Sequence, residues 1–301
     1  MKHVFPLLLV FLITASALAQ QSGFVENGDC KTYYRTFGNG KPLLIINGGP
    51  GMNSDGFVSL AKTLSERNQT IIYDQRGTGK SVLSKIDESS ITMNLMIEDL
   101  ERLRKHLKVE KWAILGHSFG GMLASYYATL HPEHIESLIL SASGGIDLEL
   151  QSYVSQNIRS RLTSLEKDSL DYWNTKISGG DTSYHAKFRR GLALAPAYLH
   201  NKKNIPLIAE RLTQSNMTIN ALTWYDLQKI HFDCREKLLS FYAPVLIIQG
   251  KQDIIDEKTA TKARNAFKNS KVVFLDNCSH YGWLDVPNSY FAEIKGFLGG
   301  V

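Results

Sequence analysis

The stretch Gly116-His117-Ser118-Phe119-Gly120-Gly121 contains the pattern G-x-S-x-G between an apolar run and a helix-like segment. The run at 112–115 predicts a strand, and the segment 118–130 predicts a helix. In a strand-to-helix turn of this kind the serine backbone is strained, so small residues must flank it. The turn places the hydroxyl at the carboxyl end of the strand, where the helix dipole favours developing negative charge. The pattern therefore predicts that Ser118 is a nucleophile.

Around this turn, strands and helices alternate in two regions of the chain. Short apolar runs predict strands at 43–46, 70–73, 112–115, 135–140, 245–248 and 272–275. Helical spacing or composition predicts helices at 93–107, 118–130, 257–267 and after Pro287. Nearly continuous apolar strands are typical of a parallel sheet with helices on both faces. The segment 23–40 predicts antiparallel strands at the sheet edge.

The residues from about 146 to 240 differ from both regions. They are rich in helix formers, Tyr and Trp, and they contain no strand-like run. We therefore predict an α/β fold with a mostly parallel central sheet covered by helices. Its core comprises residues 20–145 and 241–301, and a helical cap, here called the cap segment, occupies residues 146–240 between the two halves of the core.

A serine nucleophile needs a base, and the base needs a carboxylate that orients it. In this architecture the acid and then the histidine follow the serine, each just past the end of a strand. Asp253 follows the strand at 245–248 and is the candidate acid, with Asp256 as the alternative. His280 follows the last strand and is the candidate base. The order of these residues predicts a Ser118-Asp253-His280 triad.

The oxyanion of an acyl-transfer reaction needs two backbone N–H donors. One donor should be Phe119, directly after the nucleophile. The other should come from Asn47-Gly48-Gly49-Pro50-Gly51, where glycines let the backbone approach a substrate closely. We predict Gly49 as that second donor, with Gly48 as the alternative.

Together these motifs resemble the proline iminopeptidase branch of the α/β hydrolases. That branch carries H-G-G-P-G, where this chain has Asn47 to Gly51, and D-Q-R-G-x-G-x-S, which residues Asp74 to Ser81 match throughout. The serine turn and the G-x-x-D and S-H segments, at 250–253 and 279–280, also match. The chain departs from the branch at Asn47, which stands where the branch has histidine.

The resemblance implies an α/β-hydrolase fold and hydrolysis after an N-terminal residue, often proline, of a short peptide. It also implies that cap carboxylates bind the free α-amine, among apolar side chains. Glu210 is our candidate for that carboxylate, and Trp224 and Trp283 are candidate pocket walls. The other acidic residues considered in the cap segment are Glu149, Glu166, Asp168, Asp171, Asp181 and Asp226.

Two other functions remain open. One is hydrolysis of carboxylic esters or small amides by the same triad, because related enzymes with this core cleave such substrates and a fold does not fix the substrate. The other, from a different class, is a non-catalytic hydrolase-like binding protein. That function predicts the loss of a triad member, whereas Ser118, Asp253 and His280 are all present.

The start of the chain indicates a compartment. An apolar run at 4–13 is followed by small residues and Ala17-Leu18-Ala19, the pattern of a signal-peptide cleavage site. The run is too short to cross a bilayer, which takes about 20 residues. We expect residues 1–19 to be a signal peptide cleaved near Ala19, and the mature protein to be periplasmic or secreted, without stable membrane insertion.

Composition argues against other partners and cofactors. The formal net charge is +5, with no block of like charge, so nucleic-acid binding has no support. Cys30, Cys234 and Cys278 lack C-x-x-C spacing and a histidine cluster, which argues against a zinc site. An odd number of cysteines leaves at least one unpaired within the chain, and Cys278 is expected to be a packing residue. No metal or organic cofactor is implied, and the expected partner is a small-molecule or short-peptide substrate.

Overall fold

A computed structural model describes residues 20–300 of the chain. The predicted signal peptide, residues 1–19, therefore lies outside the described residues and stays a prediction. Within the described range, no helix combines the length and apolar character that crossing a membrane requires.

Nine strands form one sheet within residues 20–300. They are β1 (Gln21–Asn27), β2 (Cys30–Phe37), β3 (Lys41–Ile46), β4 (Asn68–Tyr73), β5 (Val82–Leu83), β6 (Trp112–His117), β7 (Ile135–Ser141), β8 (Val245–Gly250) and β9 (Ser270–Leu275). Their order is β1-β2-β4-β3-β6-β7-β8-β9, with β5 beside β2. The strands from β4 to β9 along this order pair in parallel, and β2 pairs antiparallel with β1, β4 and β5. The predicted parallel sheet and its antiparallel edge are confirmed.

Helices cover this sheet and make up the cap segment. They are α1 (Val58–Leu64), α2 (Met93–His106), α3 (Phe119–Leu130), α4 (Val154–Ser160), α5 (Ser164–Ser178), α6 (Tyr184–Leu194), α7 (Ile205–Leu212), α8 (Met217–Lys229), α9 (Arg235–Leu238), α10 (Glu257–Ala266), α11 (Gly282–Asp285) and α12 (Pro287–Gly299). Helices α4 to α9 lie between β7 and β8 along the chain, so a helical segment separates the two halves of the sheet, as the sequence predicts.

Side chains along each strand point alternately to the two faces of the sheet, and helices bury both faces. In β3, Leu44 and Ile46 join the apolar cluster that includes residues of α2, α3 and α10. Leu43 and Ile45 of the same strand join a second cluster, with residues of α1 and α12. This double burial explains why the central strands read as nearly continuous apolar runs.

The D-Q-R-G segment after β4 is held by a buried arginine. The Arg76 side chain donates from Nε to Asp99 Oδ2 of α2 at 2.8 Å and from Nη1 to the Ser90 carbonyl at 2.7 Å. Neighbouring Asp74 accepts from the backbone and hydroxyl of Ser54, at 2.9 and 2.6 Å. The segment thereby fixes the loops that follow β3 and β4, next to the carboxyl end of the sheet.

Candidate active site

Ser118 stands at the sharp turn between β6 and α3. Its backbone has φ 54° and ψ −121°, a strained conformation for a residue with a side chain. Its N–H donates to the Ser141 carbonyl at 3.1 Å, and its carbonyl accepts from the N–H groups of Gly121 and Gly144, at 2.9 and 3.0 Å. These hydrogen bonds hold the turn against β7 and the loop that follows it.

The glycines around Ser118 are required by close packing. A Cβ at Gly116 would lie 2.4 Å from the carbonyl oxygen of Gly120, and a Cβ at Gly120 would lie 2.1 Å from that of Ile46. Both obstacles are backbone atoms, which cannot rotate away. The turn can form only where these positions carry no side chain, which is the physical reason for the G-x-S-x-G pattern.

Asp253 and His280 meet at the same end of the sheet. Asp253 Oδ1 lies 2.8 Å from His280 Nδ1, and both side chains are buried. Asp253 Oδ1 also accepts from the N–H of Ile255 at 3.2 Å. A carboxylate at Nδ1 favours the tautomer with its proton there, which leaves Nε2 with a free lone pair. The alternative acid, Asp256, instead accepts from Asn157 Nδ2 at 2.7 Å.

Ser118 and His280 line one cavity, of about 490 Å³, together with Gly48, Gly49 and Phe119. Within residues 20–300, no hydrogen bond joins Ser118 Oγ to the imidazole of His280. Such bonds are often long in unliganded enzymes and shorten when substrate binds. The structure therefore brings Ser118, His280 and the candidate oxyanion donors to one cavity, and Asp253 lies behind His280, outside the lining.

The glycine loop after β3 lies against the nucleophile. A Cβ at Gly48 would lie 2.7 Å from Ser118 Cβ, and Gly49 has φ 70°, which favours glycine. The Asn47 side chain closes the loop, donating from Nδ2 to the carbonyls of Met52 at 3.0 Å and Gly48 at 3.2 Å. Asn47 thus supplies hydrogen-bond donors to the loop.

The cap segment is tied to each of these catalytic loops. The N–H of His280 donates to the carbonyl of Tyr198 at 3.1 Å, and the N–H of Asn216 donates to Gly51 at 2.9 Å. Arg211 Nη2 donates to the Gly48 carbonyl at 3.1 Å. Arg161 donates to the backbone carbonyls of Gln252 and Asp253. The cap therefore buttresses the loops that carry the candidate base, acid and oxyanion donor.

Two of the three predicted substrate-binding residues do not line the cavity. Trp224 lines the cavity, as predicted. Glu210 is exposed on the outer face of α7, where Tyr184 Oη donates to its Oε2 at 2.5 Å. Trp283 is buried behind the cavity wall, with its ring centroid 4.9 Å from His117 and 5.2 Å from Phe57. Neither Glu210 nor Trp283 is among the cavity-lining residues.

The expected cap carboxylate for a substrate amine is also not found. In the described part of the chain, no Asp or Glu lines the cavity. The cap acids have other partners or face outward: Glu149 pairs with Lys258 and Lys262, Asp171 with Arg159, Asp226 caps α2 through Met93, Glu166 caps α5, Asp181 bonds Ser183, and Asp168 is exposed.

The charged residues at the cavity are arginines instead. Arg159, Arg190 and Arg211 line it, together with Asn174 and Asn220. Arg211 could have been found from the sequence, because it shares the apolar face of α7 with Ile208 and Leu212. The sequence predicts Glu210, one position earlier. Because a helix turns by about 100° per residue, the side chains of Glu210 and Arg211 point in different directions.

His117 is a buried, neutral neighbour of the candidate base. Its ring centroid lies 4.7 Å from that of His280, and its Nε2 is among the buried atoms without a hydrogen-bond partner. Burial lowers the pKa of His117 well below 6.5, and the nearby His280 and Arg211 lower it further. His117 is therefore uncharged at neutral pH and adds no positive charge next to His280.

The cysteines do not provide an alternative nucleophile. Cys30, Cys234 and Cys278 are all buried and unpaired. Burial raises the pKa of the Cys278 thiol far above its usual range, so the thiolate that a nucleophile requires does not form. The prediction that Cys278 is a packing residue agrees with this environment.

Residues 41–287 match the family described as the alpha/beta hydrolase fold, and the chain belongs to that family. It is similar to a proline iminopeptidase of Saccharolobus solfataricus, with 29% identity over 280 residues, 89% of this chain and 88% of that protein. The crystal structure of a proline iminopeptidase from Mycobacterium smegmatis is similar in fold, with a TM-score of 0.70 and 22% identity over 93% of this chain and 98% of that one. An esterase from Exiguobacterium antarcticum also has a TM-score of 0.70, with 18% identity over 93% of this chain and 100% of that one.

The packing around Ser118 predicts the effect of a single methyl group. Gly120→Ala would force the added Cβ against the Ile46 carbonyl at 2.1 Å, so we expect the free energy of unfolding to fall by about 1–3 kcal/mol. Gly296→Ala, in α12, is the matched control because nothing lies within 4 Å of its Cβ position. We expect this control to be neutral or stabilising, by up to about 1 kcal/mol. Urea denaturation measures both, and equal effects would contradict the packing argument.

The buried His117 predicts a pH dependence of stability. Between about pH 6.5 and the lower pKa of the native state, only the unfolded chain takes up this proton. The free energy of unfolding should therefore fall as the pH drops below 6.5, by up to about 1.4 kcal/mol per pH unit from this group. His117→Phe keeps an aromatic ring and removes the titration, so urea denaturation between pH 5 and 7.5 should show a shallower slope. A slope unchanged by the substitution would show that other groups cause it.

Proposed function

We propose that this protein is a serine hydrolase that works through an acyl-enzyme. The observation that carries the proposal is the buried hydrogen bond of 2.8 Å between Asp253 and His280, at a cavity that Ser118 also lines. His280, oriented by Asp253, takes the proton of Ser118 as its oxygen attacks a substrate carbonyl. The N–H groups of Phe119 and Gly49 then stabilise the oxyanion. His280 returns the proton to the leaving group, and water, activated by His280, releases the acid.

The proposed substrates are short peptides from which an N-terminal residue, proline first, is released. Similarity to proline iminopeptidases over 89% of the chain supports this choice. The cavity volume of about 490 Å³ lies within the range of small-ligand sites. Trp224 and other apolar side chains of the lining would surround the ring of an N-terminal proline.

A second candidate is hydrolysis of a carboxylic ester or small amide by the same residues. The lining of the cavity favours this candidate, because it contains no Asp or Glu among the described residues. A protonated α-amine that enters a desolvated cavity needs a carboxylate or several carbonyl groups to replace water. An ester or an uncharged amide needs neither.

Export also belongs to the proposal. The A-x-A pattern that ends at Ala19 supports cleavage of a signal peptide and a periplasmic or secreted mature protein. N-terminal sequencing of the protein after expression with its full N-terminus tests this step. A mature N-terminus near Gln20 is expected, and an uncleaved chain would contradict it.

The proposed function is tested with a substrate panel. Purified protein is assayed on prolyl and other aminoacyl 4-nitroanilides and on short acyl 4-nitrophenyl esters, and Ser118 is labelled with a fluorophosphonate probe. We expect Ser118→Ala to lose turnover and labelling. Turnover of esters with none of aminoacyl anilides would select the second candidate. A wild-type protein that turns over nothing and does not label would leave the non-catalytic binding protein.

The assignment of the acid is tested separately. Asp253→Asn keeps the shape of the side chain but removes the charge that stabilises protonated His280, so kcat should fall by about 10³- to 10⁴-fold. Asp256→Asn is the matched control, because Asp256 contacts Asn157 rather than His280. We expect its kcat to stay within a few-fold of wild type. Similar losses in both variants would refute the assignment of Asp253.

A further inference from the structure

The charge of the cavity is positive and is not balanced by its own lining. Arg159, Arg190 and Arg211 line it, and no Asp or Glu does so within residues 20–300. The rest of the lining is largely apolar, with Ile158, Leu170 and Trp224 among it. Low-dielectric walls strengthen the field of such charges inside a cavity. The site is therefore suited to an apolar molecule that carries a negative charge.

Two of these arginines already have partners within the protein. Arg159 forms a bidentate pair with Asp171, with N–O distances of 2.9 and 3.0 Å. Arg211 donates to the backbone carbonyl of Gly48 at 3.1 Å, and its guanidinium lies 4.7 Å from the ring centroid of Phe57. Arg211 therefore serves the glycine loop.

Among the described residues, the charge of Arg190 is not paired with a carboxylate. Its Nε donates to Asn174 Oδ1 at 2.7 Å, which fixes the plane of the guanidinium. In the described part of the chain, no carboxylate pairs with Arg190, and its Nη1 and Nη2 have no hydrogen-bond partner. Burial also lowers the pKa of Arg190, because the protein removes water from around the guanidinium. A ligand anion would replace the water that burial removes from the guanidinium of Arg190.

We propose that Arg190, positioned by Asn174, binds a carboxylate of the substrate inside the cavity. This inference rests on the proposed serine hydrolase function and narrows its substrate class to amides or esters that carry a free carboxylate. The free Nη1 and Nη2 donors match the two oxygens of a carboxylate, and the apolar lining accepts the stem. The carboxylate belongs either to the acyl part of the substrate or to its leaving group.

Pairs of compounds that differ only in this charge separate the two sources. Adipoyl and hexanoyl 4-nitroanilides place a carboxylate or a methyl group at the end of the acyl chain. Prolyl-alanine and prolyl-alanine amide place a carboxylate or a neutral amide on the leaving group. Binding of each compound to the Ser118→Ala protein is measured by calorimetry, so the test does not depend on turnover.

We expect one acid to bind at least 10-fold more tightly than its neutral partner. Arg190→Gln should remove this preference, with a loss of about 10- to 100-fold for the acid, while the neutral compound is unaffected. Arg190→Lys keeps the charge without the planar fork and should retain part of the preference. The matched control is Arg189→Gln, since Arg189 is exposed and lies over Trp173, with 6.0 Å between the guanidinium and the ring centroid.

The outcomes separate this inference from the proposed function. Equal binding of acid and neutral compound in both pairs would overturn the carboxylate site, and so would equal losses in Arg189→Gln and Arg190→Gln. Acid binding that depends on Arg190, in a wild-type protein that neither turns over substrates nor labels at Ser118, would overturn only the hydrolase. Turnover without a preference for acids would overturn only the carboxylate site.

Discussion

The close approach of three backbones at the carboxyl end of the sheet determines where the chemistry can occur. Ser118 holds a positive φ because the turn after β6 is pressed against the end of β3 and bonded to Ser141 of β7. A Cβ at Gly120 would meet the Ile46 carbonyl at 2.1 Å, so the contact exists only with glycine there. Once this contact is made, the loop after β3 lies beside Ser118, and the candidate oxyanion donors and the candidate nucleophile share one cavity. Contacts with β3, β7 and the loop after β7 thus hold Ser118 in its strained conformation.

The sequence predicts the fold and the positions of the loops that carry the candidate catalytic residues, because both follow from local rules. Strand ends, glycine turns and the order of Ser118, Asp253 and His280 are written into short segments with defined geometry. The cap residues are less well defined by local patterns. Glu210 and Arg211 are adjacent in α7, yet Glu210 faces solvent and Arg211 reaches Gly48, and only the apolar face that Arg211 shares with Ile208 and Leu212 indicates this difference in the sequence. Trp283 is close to His280 in the sequence, but its ring packs against His117 behind the wall of the cavity and does not line it.

Electrostatics around the candidate base are arranged by burial more than by ion pairs. Neutral His117 lies 4.7 Å from His280, ring to ring, and adds no charge at neutral pH. Asp253 faces the imidazole of His280, with 2.8 Å between Oδ1 and Nδ1. The arginines line the cavity, so their charges lie next to the space that a substrate would occupy. In the proposed mechanism, acid–base chemistry and substrate charge are therefore assigned to different groups.

The hydrogen bonds between the cap segment and the catalytic loops also bear on how this architecture can diverge. Tyr198 holds the backbone of His280, Arg211 holds Gly48, and Arg161 holds the loop of Asp253. A different cap grafted onto this sheet would have to reproduce these bonds before the catalytic loops regained their positions. A change of substrate specificity is therefore easier to reach by single substitutions on the inner faces of α5 and α6, which leave these hydrogen bonds intact, than by replacement of the whole cap segment.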